Sequence, residues 1–158
     1  MNKTIMKTDD AILAKYAEIF VTIKNKRYTM AIAKNFEGKA NVKTKEVPKL
    51  GSLIVGHKPT AVELSFKMTI YKCTEIFDEV VSEFIKTGVM PRFDIQTSNE
   101  DPAAASIGRS TKIYNDCILD GDVLLSMAGS EDDYIEQEIN GYCDGYNSPE
   151  KFRNPSYM

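Results

Sequence analysis

The alternation of apolar and polar positions along the chain predicts a mainly β protein with one principal helix. In VELSFKMTIYK, Val62, Leu64, Phe66, Met68 and Ile70 fall on one face. Glu63, Ser65, Lys67, Thr69 and Tyr71 fall on the other, which is the period of a half-buried strand. NFEGKANVKTKEV carries a second long alternation. Phe36, Gly38, Ala40, Val42 and Thr44 are small or apolar, whereas Glu37, Lys39, Asn41, Lys43 and Lys45 are polar. Pro48 to Thr60 between them reads as a loop, with two glycines and two prolines. Two long strands flanking one loop predict an extended antiparallel hairpin, because parallel neighbours would need a longer crossover.

Shorter segments complete the pattern. Glu18 to Lys24 places Ile19, Val21 and Ile23 on one strand face, and a turn at Asn25 to Arg27 leads into Tyr28 to Lys34. The period becomes helical at Glu75 to Thr87, where Ile76, Phe77, Val80, Val81, Phe84 and Ile85 form one stripe. Thr74 is the expected N-cap and Gly88 the expected stop. Three extended pieces follow Met90-Pro91: Arg92 to Thr97, Ser110 to Leu119 and Val123 to Ala128. A flexible Ser98 to Gly108 loop parts the first two, and an Asp120-Gly121-Asp122 turn parts the last two. Asp133 to Gly145 reads as a further strand, with Ile135, Ile139 and Cys143 on its apolar side. The resulting plan is an N-terminal arm over 1–17 with a helical turn at Asp9 to Tyr16, a β domain over 18–146, and an irregular tail over 147–158. With no βαβ alternation and no internal repeat, one sheet-rich domain carrying one helix is expected.

Candidate chemistry narrows to GSLIVGHKPT. Gly51 and Gly56 have the spacing of a P-loop, but His57 stands where the lysine belongs, and Lys58 and Pro59 follow. A P-loop holds phosphate at the start of a helix, and here a strand follows instead. His57, the single histidine, has no carboxylate or nucleophile in a recognisable pattern nearby, so it reads as a surface loop residue and not a catalyst. Ser130 to Asp133 lacks the alternating ligands of an EF-hand. No catalytic set, cofactor site or metal site is expected. The three cysteines, Cys73, Cys117 and Cys143, lack CxxC spacing and read as single buried thiols. The start MNKTIMKTDD has no apolar run of signal-peptide type, so the chain is read as made and kept in the cytoplasm, where the Asn2-Lys3-Thr4 sequon means nothing.

Charge changes the picture more than its net value of −3 suggests. Fourteen basic residues face 6 acidic ones through Lys72, and 6 basic face 17 acidic ones from Cys73 onward. A domain can satisfy such segments internally; alternatively, protomers with complementary surfaces meet head-to-tail in a ring or filament. Leu50, Leu53, Ile54 and Val55 are also out of place, being apolar inside a glycine- and proline-rich hairpin loop. Either they tuck under their own sheet or the loop buries them in another subunit.

The order of these features resembles the tail tube proteins of contractile phage tails, in the group seen in PBSX-like prophages and phage-tail-like bacteriocins. The resemblance runs from Glu18 to Phe152. It rests on Gly56-His57-Lys58 before an alternating strand, Tyr71-Lys72 before the helix, and Lys86-Thr87-Gly88 at its end. PRFDIQT from Pro91 and the Pro149-Glu150-Lys151-Phe152 tail complete it. The Asp9 to Tyr16 segment departs from the pattern. The resemblance implies a β-sandwich with a flanking helix, assembled into hexameric rings that stack into a hollow tube inside a contractile sheath. It implies an inner barrel lined by Glu37, Lys39, Asn41, Lys43, Glu63, Ser65, Lys67 and Thr69. A subunit contact is implied through Leu50, Gly51, Leu53, Ile54, Val55, Gly56, His57 and Lys58. Implied partners are further copies of the chain, the sheath, baseplate and tail-terminator proteins, and, in a phage, DNA passing through without specific binding. Assembly would take place in the bacterial cytoplasm, before incorporation into a virion or phage-tail-like particle. Competing expectations are a β-barrel that binds a small ligand or single-stranded nucleic acid, a related secretion-system tube, or an enzyme pairing His57 with a cysteine.

Overall fold

A computed structural model describes residues 3–158; the first two residues of the expected arm, and with them Asn2 of the sequon, lie outside it. The first strands form a hairpin, β1 (Ala17–Ile23) and β2 (Lys26–Thr29). Lys24 and Asn25 make its two-residue turn with φ of 51° and 64°, the left-handed pair that suits the twist of adjoining strands. The long strands β3 (Ala33–Val47) and β4 (Gly56–Tyr71) pair antiparallel along their whole length. After them come α1 (Ile76–Thr87), β5 (Phe93–Glu100), β6 (Arg109–Leu119), β7 (Glu136–Cys143) and β8 (Gly145–Glu150).

Strand β6 joins two sheets. Its earlier residues pair with β5 and with β8, while Ile118 and Leu119 pair with Tyr142 and Gly141 of β7. The path therefore runs β2-β1-β5-β6-β7-β4-β3, with β8 also on β6. Asp116 takes a φ of 51° where the strand changes sheet. Its N–H donates to Asp94 Oδ1 at 3.0 Å, and its carbonyl accepts from the Arg92 guanidinium at 3.2 Å. Such a kink re-aims a strand while keeping its backbone groups satisfied.

The core lies between the sheets. Val21 and Ile95 come from one, Phe66, Met68, Ile70 and Ile139 from the other, and Phe77 and Val80 of α1 close one side. The Phe93 ring stands edge-on to both Phe66 and Phe77, with centroids 5.9 Å apart in each case. Each fully buried side chain of this size stabilises by about 1.5–3 kcal/mol relative to exposure. Cys117 and Cys143 face each other inside, with Sγ atoms 2.9 Å apart. The hydrogen bond with Cys143 and burial push the Cys117 thiol above its ordinary range. Cys73, by contrast, is exposed, which corrects the expectation of three buried thiols.

Several other expectations need correction. His57 to Thr60 are not loop residues: β4 begins at Gly56, because the hairpin ladder extends further than the proline suggested. Val123 to Ala128 forms no strand, since alternation shows which residues could share a face and not whether the segment reaches a partner. The strand expected over Asp133 to Gly145 begins at Glu136 as β7 and ends at Cys143. The tail from Tyr146 starts as β8, held by the Arg109 guanidinium on Glu150 Oε1 at 2.8 Å. The Ser98 to Gly108 loop is more ordered than expected. β5 runs to Glu100, and the Asp101 carboxylate accepts from Ala103 N–H at the head of a Pro102–Ala104 3-10 turn. Among the described residues of the arm, the one helical turn is Thr8–Asp10. The residue at the N-cap of α1 is Glu75, without a side-chain cap, and not Thr74. Of the helical stripe only Phe77 and Val80 are buried, and Phe84 and Ile85 are exposed.

Candidate functional site

The β3–β4 hairpin divides at Leu64. From Leu64 to Tyr71, β4 has β7 on its other side; from Val62 to Gly56 it pairs with β3 alone. Val42, Val47 and Val62 are correspondingly exposed in this distal half. Pro59 is tolerated here because its free edge needs no donor. At the tip Leu50 and Leu53 are fully exposed, Ile54 is 77% exposed and Val55 45%. Gly51 turns the chain with a φ of 77°, and the Ser52 hydroxyl accepts from Ile54 N–H at 3.2 Å. Gly56, His57 and Lys58 stand at the base of the tip, opposite Val47, Glu46 and Lys45. The eight residues expected at a subunit contact therefore occupy one projecting end. No helix follows the loop, so no amide cluster exists there to receive phosphate.

The second expected set also comes together. Glu37 pairs with Lys67, Lys39 with Ser65, and Asn41 with Glu63, while Lys43 and Thr69 continue the same alternation. Directly opposed residues share a face, so all eight line one side of the sheet, with Phe66 and Met68 on the core side. β7 extends this polar face through Glu138 and Asn140. Its lysines are neutralised locally: Lys39 lies 3.3 Å from Glu37, Lys43 3.1 Å from Glu63, and Lys67 3.6 Å from Glu138. Glu138 is the member that sequence reasoning did not pair, because the neighbour relation of β7 to β4 is long-range. Two glycines let β3 and β7 approach β6 closely. A Cβ on Gly38 would meet the Tyr114 hydroxyl at 2.2 Å, and one on Gly141 would meet the Ile118 carbonyl at 1.9 Å.

The far end of β4 carries a feature the sequence did not reveal. Lys72 Nζ donates to Asp78 Oδ1 at 2.8 Å and Oδ2 at 3.0 Å, and to Gln137 Oε1 at 3.4 Å, tying β4 to α1 and β7. Beside this pair Tyr71 and Tyr134 stand edge to face, 6.2 Å apart. Among the described residues, no group of three or more His, Cys, Asp or Glu could hold a metal ion. No helix there is long and apolar enough to cross a membrane.

The chain is an antiparallel β domain that raises an apolar tip on a long hairpin and presents a charge-balanced sheet face. The chain belongs to the phage tail tube protein family, whose model matches residues 4–150. In Bacillus subtilis (strain 168) it is similar to the uncharacterized protein YqbM, with 26% identity over 94% of this chain and 97% of that one. It is also similar to the phage-like element PBSX protein XkdM, with 25% identity over 92% and 95%. Among solved structures, the sheath/tube terminator of an extracellular contractile injection system has the same fold. The TM-score is 0.60 at 15% identity, over 84% of this chain and 93% of that one. The chain is accordingly a structural subunit of a tail tube.

Proposed function

We propose that the subunit assembles into hexameric rings that stack into the hollow inner tube of a contractile tail or phage-tail-like particle. The Leu50 to Val55 tip makes the contact between subunits, and the Glu37–Lys67 face lines the channel. The observation that carries this is the exposure of Leu50, Leu53 and Ile54 on a hairpin half that pairs with nothing but itself. Burying each such side chain is worth about 1.5–3 kcal/mol, which favours a second surface over water. The charge balance of the other face supports the channel role. Phosphate binding scales with the number of cations offered. A wall with Lys39, Lys43 and Lys67 each beside a carboxylate lets DNA or another cargo slide.

Sheath, baseplate and terminator proteins are the proposed partners outside the tube, and assembly takes place in the bacterial cytoplasm. The test is electron microscopy of the purified protein at high concentration. Rings and tubes are expected, and a strictly monomeric protein contradicts the reading. Deleting Gly51 to Val55 is expected to leave a folded domain that no longer builds tubes; undiminished tube formation rejects the role of the tip.

A further inference from the structure

We infer that the tip of one copy docks in the cleft lined by Tyr71, Lys72, Cys73, Tyr134 and Ile135 on the next copy along the tube axis. The inference deepens the tube reading and rests on it. Tip and cleft lie at opposite ends of the same strand: β4 starts at Gly56 beneath the tip and ends at Tyr71 in the cleft. Sixteen strand residues at ~3.3 Å each separate them by about 50 Å. A contact between two different patches, repeated by translation, does not close on itself and generates a filament.

The chemistry of the two ends matches. The cleft is an open cavity of about 550 Å³. Its walls are the Tyr71 and Tyr134 rings and Ile135, and Tyr134 is 82% exposed. Lys72 contributes little free charge, because Asp78 holds its ammonium at 2.8 Å. The tip supplies Leu50, Leu53 and Ile54 as apolar inserts of suitable size. Around them the charges oppose. Lys45, Lys49 and Lys58 flank the tip, while Glu131, Asp132 and Asp133 lead into Tyr134. None of these six forms an ion pair within the described chain. Three lysines thus lie beside the tip, with Glu46 among them, and three carboxylates lead into the cleft, so a head-to-tail contact brings opposite charges together. A further exposed apolar patch, Phe84, Ile85 and Val89 on and after α1, is flanked by Glu83 and Lys86 and offers no such complement.

Native Cys73 lines the cleft and is exposed, so it can report the contact. Ser52→Cys keeps every apolar tip residue and places a thiol among them. In assembled tubes, a short bis-maleimide is expected to link these two thiols across copies and give a ladder of covalent multimers on a denaturing gel. Adding Cys73→Ser is expected to abolish the ladder. As a second arm, Tyr134→Asp changes an exposed residue, and is expected to stop growth at rings without moving the melting temperature. Tubes of the Ser52→Cys protein without the ladder, a ladder surviving Cys73→Ser, or normal tube length in Tyr134→Asp overturns the docking site while leaving the tube reading intact. Failure of the unaltered chain to form any tube overturns both.

Discussion

The two halves of the β3–β4 hairpin share one ladder and one alternation but have opposite surroundings. In the half next to Tyr71, Phe66, Met68 and Ile70 are sealed between the sheets. In the half next to the tip, Val42 and Val62 continue the apolar face into open solvent. The β3–β4 ladder runs through both halves, but only the inner half also pairs with β7, so the outer half differs in having a free β4 edge and exposed side chains. The comparison separates two uses of the same pattern. One half stabilises the fold, and the other is the surface proposed above to meet a neighbouring copy.

Substitutions along the hairpin are therefore expected to fall into two groups. The largest effect belongs to the inner half: Phe66→Ala removes a ring that touches Phe93, and denaturant unfolding is expected to show a loss of about 3–5 kcal/mol. Gly38→Ala drives a methyl against the far end of the Tyr114 side chain, which can shift. A loss of about 1–3 kcal/mol is expected from it, with altered tyrosine fluorescence. Lys67→Gln on the polar face removes an exposed pair with Glu138 and is expected to change stability by less than about 1 kcal/mol. Any larger loss would mean that this face also carries folding energy.

The smallest effect lies outside the hairpin and calibrates the scale. The hydrogen bond from Arg109 holds the Glu150 carboxyl below the ordinary carboxylate range. Its contribution is present above the unfolded pKa and is lost as pH falls through the lowered folded one. Hydrogen exchange is expected to show β8 amides protected at neutral pH and opening first in acid, with Glu150→Gln removing that pH dependence.

What the sequence revealed follows from the range of the interactions involved. The hairpin strands and α1 are set by period and local backbone preference, and those were readable, whereas the turn expected at Asn25 to Arg27 lies at Lys24 and Asn25. The apolar tip was also readable, because Leu50, Leu53, Ile54 and Val55 violate the composition of a loop. Pairings between distant segments were not. β8 on β6, the switch of β6 between sheets at Asp116, and Glu138 beside Lys67 depend on contacts the sequence does not display. Val123 to Ala128 shows the converse, a strand pattern that pairs with no strand. The Lys72–Asp78–Gln137 cluster was invisible for the same reason: its members lie on three elements.

The central claim is that the outer half of the hairpin serves assembly and not folding. Its most direct test is a paired measurement on one variant, Leu50→Ser/Leu53→Ser/Ile54→Ser, recording the denaturation midpoint and the tube yield by electron microscopy. The account predicts an unchanged midpoint, since all three side chains already meet water, and no tubes. A lowered midpoint, or tubes at the normal yield, would contradict it.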